Sequence, residues 1–376
     1  MSDETNMVST NRKTYIALFA AAFFGLSATV SVLHAEDAAP ASASTSATTS
    51  AMTLQQISEA HVGLVDFDPA KVVGSQACAD CHAAAINAWQ QTPHHTTWET
   101  LHRRPEAQAI AEKMGLRSIK RGDVCIQCHY TQKEEAGRIT PVSGVSCESC
   151  HGPAADWITI HNNYGGPDVT KATESAAHAT ERINNALGAG MLHPDNLYLV
   201  AQNCYNCHTV PNEELVNVGG HKAGTQEFEL VSYSQGMVRH NFARDPSGAN
   251  VANSQERLRV MYVMGVMVDL EYSLRGLAKA TAGANYARFM AQRVDRNRKL
   301  LRDEILTKID NEHVKAAADA AYAAGLRLNN EAELTASAET VAAAARAFSE
   351  SADGAAMAGV DPLIPTPAQY KGTPTP

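Results

Sequence analysis

The C-terminal third of the chain carries apolar residues at three- and four-residue steps among Arg, Glu and Lys. This periodicity is typical of amphipathic helices. Two alanine-rich segments end the pattern, and Asn329-Asn330 between them is a helix stop signal. We therefore predict a helical bundle over residues 254–352. Its four helices are expected at about residues 254–281, 284–309, 311–326 and 331–350.

The preceding part, residues 56–253, shows only short periodic segments and is rich in His, Gly, Pro and Asn. It is expected to form an irregular domain with little regular secondary structure, so that the fold class is mainly α. The Pro-rich tail, residues 353–376, is expected to be extended or disordered.

The N-terminus reads as an export signal. Arg12-Lys13 precedes an apolar run, and small residues lead to Ala35, which is the layout of a secretory signal over residues 1–35. An uncleaved membrane anchor is the alternative, because the apolar stretch is about long enough to span a bilayer. Both predict the periplasm. Residues 36–55 form a low-complexity linker.

The composition narrows the function classes. The formal net charge of −9 argues against a nucleic-acid-binding protein and favours basic proteins or small molecules as partners. Aromatic residues make up only 6% of the chain, so a conventional core would be alanine-rich, and another group is expected to fill part of it.

All eight cysteines lie in Cys-x-x-Cys-His motifs, and this pattern is typical of covalent haem c attachment, with the histidine as proximal iron ligand. We therefore predict four haem c groups. Zinc ribbons would not require a histidine after every pair, and two-residue spacings do not favour structural disulfides. The motifs are Cys78/Cys81/His82, Cys125/Cys128/His129, Cys147/Cys150/His151 and Cys204/Cys207/His208.

The sixth iron ligands decide between electron transfer and ligand chemistry. Two histidines stand out by position: His94 follows the first motif at the end of a helix-forming segment, and His161 lies ten residues after His151. Four others are expected to be ordinary polar residues, namely His95, His102, His178 and His313.

Residues 72–210 resemble the tetrahaem cytochrome c-554 family of ammonia-oxidising nitrifiers. The likeness rests on the spacing from His82 to His94, on the Cys-Glu-Ser-Cys-His-Gly-Pro segment beginning at Cys147, and on the spacing from His151 to His161. It implies the ligand pairs His82/His161 and His151/His94. It also implies two histidines on the fourth haem, and a second haem, on His129, without a strong distal ligand.

The chain departs from that family at the fourth haem, because Leu199 stands where the family has the distal histidine. His193 is the nearest upstream replacement. His221 and His240 are further candidates, either on the haem of His208 or on that of His129; alternatively His240, with Lys222 and Arg239, holds haem propionates. Methionine ligation is disfavoured, because Met261, Met264 and Met267 read as a helix core stripe.

The sequence therefore predicts a single-electron carrier rather than an enzyme. Its partners would be redox proteins: a multihaem oxidoreductase of the nitrogen cycle, a quinol dehydrogenase or another cytochrome. The membrane would be involved only through an uncleaved N-terminus. The alternative is a haem enzyme that reduces nitric oxide, hydroxylamine or a similar small ligand at an open iron on His129.

Overall fold

The computed structural model describes residues 67–224 and 227–376. The predicted signal and linker, and with them the question of cleavage or anchoring, lie outside the described residues. The mainly α prediction is confirmed. Within the described part, no helix is both long enough and apolar enough to cross a membrane.

The attachment region, residues 67–253, is a succession of short helices joined by 3₁₀ turns. Each attachment motif sits where a helix stops: three motif helices end at the motif histidine, and the first is broken at His82 (φ −120°, ψ 34°). The α-helices are α1 Gln76–Gln90, α2 Pro93–Thr100, α3 Pro105–Lys113, α4 Asp123–His129, α5 Cys147–His151, α6 Ala176–Gly188, α7 Leu197–His208, α8 Glu213–Asn217 and α9 Leu230–Ser234. The 3₁₀ turns are Pro69–Lys71, Leu101–Arg103, Ile119–Arg121 and Asn241–Ala243.

A β-hairpin that the sequence analysis did not predict joins the second and third motifs. Its antiparallel strands, β1 Thr131–Glu135 and β2 Arg138–Ser143, are closed by Ala136 (φ 51°) and Gly137 (φ 72°). Positive φ at both turn residues matches the right-handed twist of hairpin strands. The glycine was the available signal, but alanine in this conformation is uncommon.

The C-terminal helices agree with the predicted bundle. Ser254 begins the first of them by accepting a hydrogen bond from the Arg257 backbone amide, 3.2 Å from its Oγ, and Asn311 caps the third in the same way. The elements are α10 Gln255–Ala278, α11 Asn285–Lys299, a π-helical turn Leu300–Ile305, α12 Glu312–Ala323 and α13 Glu331–Ser351.

Helix α10 is the centre of the molecule's main core. It is buried on nearly every side and packs against α11, α13 and α7, as expected for a helix that is apolar around most of its circumference. The same core continues through Tyr198, Leu199 and Tyr205 of α7. The helix that carries the fourth motif is therefore anchored on the C-terminal helices.

A buried charge cluster crosses this core. Arg293 of α11 donates to Asp269 of α10 over 2.7 Å, and Arg296 donates to the second carboxylate oxygen over 2.8 Å. Ser273 adds a hydrogen bond of 3.0 Å to the carboxylate. Because a buried carboxylate is costly without partners, these contacts fix the register of α10 against α11.

The Pro-rich tail is packed, and the expectation of an extended or disordered segment is wrong. It forms 3₁₀ helices Gly354–Leu363 and Pro367–Gln369, and Val360 is fully buried. Arg259 of α10 forms a bidentate ion pair with Asp361 (2.7 and 2.8 Å). Burial of apolar side chains and the ion pair of Asp361 thus hold this segment against the protein despite its proline content.

Candidate haem-binding sites

Histidine pairs are the main feature of the attachment region. Among the described residues, each motif histidine faces one histidine from elsewhere in the chain, with the ring centres 6.0–6.3 Å apart. The pairs are His82 with His161 (6.3 Å), His208 with His94 (6.3 Å), His129 with His221 (6.3 Å) and His151 with His240 (6.0 Å).

This spacing fits one iron between two imidazoles. Each metal–nitrogen bond is about 2 Å long and the ring centre lies about 1 Å behind the nitrogen, so two axial ligands place their ring centres about 6 Å apart. Side chains that only pack can also have ring centres at this separation, as Trp98 and Tyr130 do at 6.0 Å, so the argument depends on the pairing of every motif histidine with a second imidazole. The donor set and its spacing therefore fit haem c.

Backbone hydrogen bonds orient several of these rings. The Nδ1 atoms of the three paired histidines His161, His221 and His240 each lie 2.7 Å from a carbonyl oxygen, and Nδ1 of His151 lies 3.1 Å from the Leu192 oxygen. A carbonyl oxygen can only accept a hydrogen bond. Nδ1 of each ring therefore carries the hydrogen, and the free lone pair is on Nε2. Such bonds fix the tautomer that binds a metal.

Desolvation favours the neutral form of five of the paired imidazoles. It lowers the pKa of His129, His151 and His208 to about 4, and it is also the largest cause of the lowered pKa of His82 and His94. A neutral imidazole is the form that coordinates iron, because a protonated ring has no free lone pair.

The observed pairs differ from the expected ones at the third and fourth motifs, whereas His221, opposite His129, was one of the open candidates for the second. His161 faces His82, as the resemblance implied, but His94 faces His208 rather than His151. His240 occupies the position opposite His151. Helix α2 brings His94 toward α7, and this approach depends on packing that sequence spacing does not reveal.

His221 lies opposite His129, where the family resemblance implied no strong ligand. It follows Gly219-Gly220, and a Cβ atom at Gly219 would lie 2.6 Å from the Leu215 carbonyl oxygen. The glycine therefore lets the loop approach α8 closely and direct His221 toward His129.

His193 does not face a motif histidine. Its Nδ1 accepts a hydrogen bond from the Asp195 backbone amide over 3.2 Å and lies 3.4 Å from the Asp195 carboxylate. The His193 ring therefore takes part in a local turn with Asp195 and is not directed at a motif histidine. The methionine stripe, likewise, is in the core: Met264 and Met267 are fully buried on α10.

The cysteines show which motifs are neighbours. The thiols of Cys78 and Cys147 share a hydrogen bond, as do those of Cys128 and Cys207. Desolvation raises the pKa of Cys150 to about 12, and the nearby Cys204 adds to this shift. All eight cysteines are free thiols.

Cys81 departs from this pattern. The first motif predicts haem attachment at both of its cysteines, but Cys81 is exposed, whereas Cys78 of the same motif is half-buried. The physical reason is its place on α1: residues 80–84 are all exposed, so this stretch of the helix lies at the surface. Haem attachment at this residue stays a prediction from the motif spacing.

Asn203 links the third and fourth motifs as well, since its side-chain amide donates to the carbonyl of Ser149 over 2.7 Å. The first motif thus adjoins the third, the third adjoins the fourth and the fourth adjoins the second.

Two supporting residues escaped the sequence analysis. Buried Glu148, inside the third motif, accepts backbone hydrogen bonds from Val73, Gly74 and Ala154 at 2.7–2.9 Å and so ties that motif to the segment before α1. Trp157 packs its edge against His161 at 5.2 Å. A glutamate or tryptophan near a motif gives no sequence signal of these roles.

Several buried polar atoms near the histidine pairs lack hydrogen-bond partners within the described chain, among them Nε1 of Trp157 and Nε of Arg239. Each of these two lies on or beside a residue of a histidine pair, since Trp157 contacts His161 and Arg239 precedes His240. Buried donors are normally satisfied. A haem propionate would supply the missing acceptor.

Comparison with known proteins points the same way. The model of the family described as "Cytochrome c554 and c-prime" matches residues 77–152. Cytochrome c-554 of Nitrosomonas europaea is 27% identical over 143 residues, which cover 36% of this chain and 56% of that protein, so the chain spans about half the length of this curated relative. No solved structure matches. Residues 77–152 of the attachment region are thus similar to the cytochrome c-554 family.

Proposed function

We propose that the protein is an exported tetrahaem c-type cytochrome that transfers single electrons between redox partners. The observation that carries this proposal is the set of four histidine pairs, each beside one attachment motif and each spaced for one iron. When bound, haem c supplies reversible one-electron chemistry of iron.

The eight cysteines would hold the haem groups through thioether bonds, two to each motif. Both axial ligands of every iron would be histidine, including at His129, where His221 takes the distal position. Desolvation favours the neutral form of the His129 ring, and the carbonyl oxygen that accepts a hydrogen bond from Nδ1 of His221 leaves Nε2 of that ring free to bind iron. Two imidazoles favour a low reduction potential and leave no coordination position for a substrate.

The neighbouring motifs suggest the order of the redox sites. We infer the sequence first, third, fourth, second, because Cys78 adjoins Cys147, Cys150 adjoins Cys204, and Cys207 adjoins Cys128. The sites of His82 and His129 would then form the two ends of the series.

Location and partners are proposed from the export signal and the family. The periplasm is the proposed compartment. A multihaem oxidoreductase of nitrogen-compound metabolism, a quinol dehydrogenase or another cytochrome would supply and accept electrons.

The second candidate function is reduction of a small ligand such as nitric oxide or hydroxylamine at an open iron on His129. One observation favours it: a cavity of about 330 Å³ adjoins this site and is lined by His221, Lys222 and Phe289. The position of His221 opposite His129 favours the carrier instead, because a bound imidazole would close the iron.

Low-temperature EPR of the oxidised holoprotein, with and without nitric oxide, tests the proposal. We expect only low-spin ferric signals and no nitrosyl complex in the native protein. In His221→Ala, one high-spin signal should appear and should be lost when nitric oxide binds. The matched control is His193→Ala, which removes a histidine that faces no motif and should leave every iron low-spin.

A high-spin, nitric-oxide-reactive iron in the native protein would contradict the assignment of His221 and favour the reductase. Unchanged spectra in His221→Ala would show that another group ligates that iron.

A further inference from the structure

The charge of the attachment region is unevenly distributed. Residues 101–122 contain six Lys or Arg and two Glu, a net charge of +4 in a chain whose net charge is −9. The two segments around the His82–His161 pair, residues 67–100 and 153–182, each have a net charge of −2. We call the six basic residues of segment 101–122 the basic face: Arg103, Arg104, Lys113, Arg117, Lys120 and Arg121.

Most of this charge faces solvent. Five of the six side chains belong to exposed residues, and Lys120, which is half-buried, lies 3.4 Å over the ring of Trp98. Only Arg103 has an ion-pair partner among the residues that the structure describes, the exposed Glu99 at 3.5 Å. A surface that served stability alone would be expected to interleave both signs of charge.

The basic face adjoins the His129–His221 pair. A Cβ atom at Gly220 would lie 3.3 Å from Lys113 Nζ, and one at Gly219 would lie 3.0 Å from the sulfur of Met114. The end of α3 therefore packs against the loop that presents His221.

A small hydrophobic core makes this face rigid. Ala111 of α3, Ile119 and Ile126 pack together with Tyr130, and Trp98 and Leu116 cover them. The basic side chains are thus presented on a fixed scaffold next to one end of the proposed series of redox sites. Electron exchange needs such an end to lie within reach of a partner, and surface charge steers that encounter.

Haem propionates would account for only part of this charge. One haem carries two propionates, whereas the basic face carries six cations, and Arg117 and Arg121 lie in the connection between α3 and α4, away from the contacts with Gly219 and Gly220. The remaining cations are exposed and available to a second anionic partner.

We propose that the basic face docks an acidic redox protein, which exchanges electrons at the His129–His221 end. This inference rests on the proposed electron-transfer function. The net charge of the whole chain suggests a basic partner. At this end of the molecule, the proposed partner is acidic instead. The end at His82, in acidic surroundings, would receive a partner of different charge, so that donor and acceptor would not compete for one surface.

The test uses the holoprotein and two small redox complexes of opposite charge, hexacyanoferrate(III) and hexaammineruthenium(III). The variant is Arg117→Glu with Arg121→Glu. The control is Lys299→Glu with Lys315→Glu, the same charge change at exposed residues of α11 and α12. Stopped-flow absorbance measures the second-order rate of oxidation of the reduced protein at low and high ionic strength.

At low ionic strength we expect the variant to react about tenfold more slowly than the native protein with hexacyanoferrate(III), and faster with hexaammineruthenium(III). Both differences should disappear at high ionic strength, where the charges are screened. The control should change either rate much less.

Equal effects of the variant and the control would overturn the proposal. So would a rate change that persists at high ionic strength together with an altered EPR signal, since this would make the two arginines propionate partners. Binding to phosphatidylglycerol vesicles that requires Arg117 and Arg121, without an effect on either rate, would assign the face to a membrane surface instead. A native holoprotein that neither complex oxidises would refute electron transfer itself, and that failure is distinct from all of these.

Discussion

The attachment region and the C-terminal helices solve the problem of burial in different ways. In the C-terminal helices, apolar side chains meet each other, and α10 is buried almost throughout in one continuous core. In the attachment region the apolar clusters are small: one is built on Ala111, Ile119, Ile126 and Tyr130, another on Ala154, Trp157 and Ala186. Its paired histidines have their ring centres 6.0–6.3 Å apart.

This difference indicates two sources of stability. The C-terminal helices gain theirs from the hydrophobic effect, which needs no cofactor. The attachment region has too little apolar contact to compensate for the conformational entropy of its many turns, so thioether and iron–imidazole bonds would have to supply the remainder. Helix α7 belongs to both regions and joins them.

The largest expected effect follows from removing the haem. In chain produced without haem attachment, amides of α1–α5 should exchange as fast as in an unfolded chain, while α10, α13 and the part of α7 that packs on them keep much of their protection. Binding free energy is folding free energy where the site does not exist in the unfolded chain. Hydrogen exchange followed by mass spectrometry measures both regions at once, with the holoprotein as reference. Equal protection of the two regions from exchange would contradict the claim that they have different sources of stability.

The second-largest effect is expected from Asp269→Asn in the core of the C-terminal helices, where the free energy of unfolding should fall. The substitution leaves Arg293, which is only 1% exposed, without its charged partner, and such a change costs about 3–5 kcal/mol of unfolding free energy. Denaturant unfolding followed by circular dichroism measures it. Asp319→Asn is the control, because Asp319 is exposed and its pair with Lys315 should contribute less than about 1 kcal/mol.

The haem spectra should not change in Asp269→Asn if the two regions draw on separate sources of stability. Altered low-spin EPR signals would show instead that the core of α10 controls the iron sites.

The smallest effect concerns acid stability in the attachment region. Hydrogen bonds from Arg182, and then from His178, hold the pKa of Glu174 at about 2, against burial, below its ordinary value of 4.5. Because the folded-state pKa is the lower one, the stability from this group is complete above pH 4.5 and is lost as the pH falls toward 2. Arg182 also donates to the carbonyl of His161 over 2.6 Å, so acid should loosen this site first.

In Glu174→Gln, unfolding free energy should therefore fall less steeply between pH 4.5 and 2 than in the native protein. Denaturant unfolding at several pH values measures the slope. Glu181→Gln, at an exposed position on α6, is the control and should keep the native slope. Parallel slopes for all three proteins would rule out the role of Glu174.

The sequence analysis was more accurate for the C-terminal helices than for the attachment region and the tail. Each predicted C-terminal helix lies within a few residues of an observed one, because apolar periodicity reports burial directly. The hairpin at β1 and β2 was missed, since its turn uses Ala136 in a left-handed conformation. The tail was misjudged because proline content says nothing about Val360 or the ion pair of Asp361 with Arg259.

For the site, the sequence by itself determined the four attachment motifs, because each motif consists of consecutive residues. It also supplied every histidine that now faces a motif. The tertiary structure decided which histidine faces which: His94 meets His208, His221 meets His129, and His193 meets neither. Such pairs join elements far apart in sequence. Their choice depends on helix packing and loop closure over the whole region, and no local pattern encodes it.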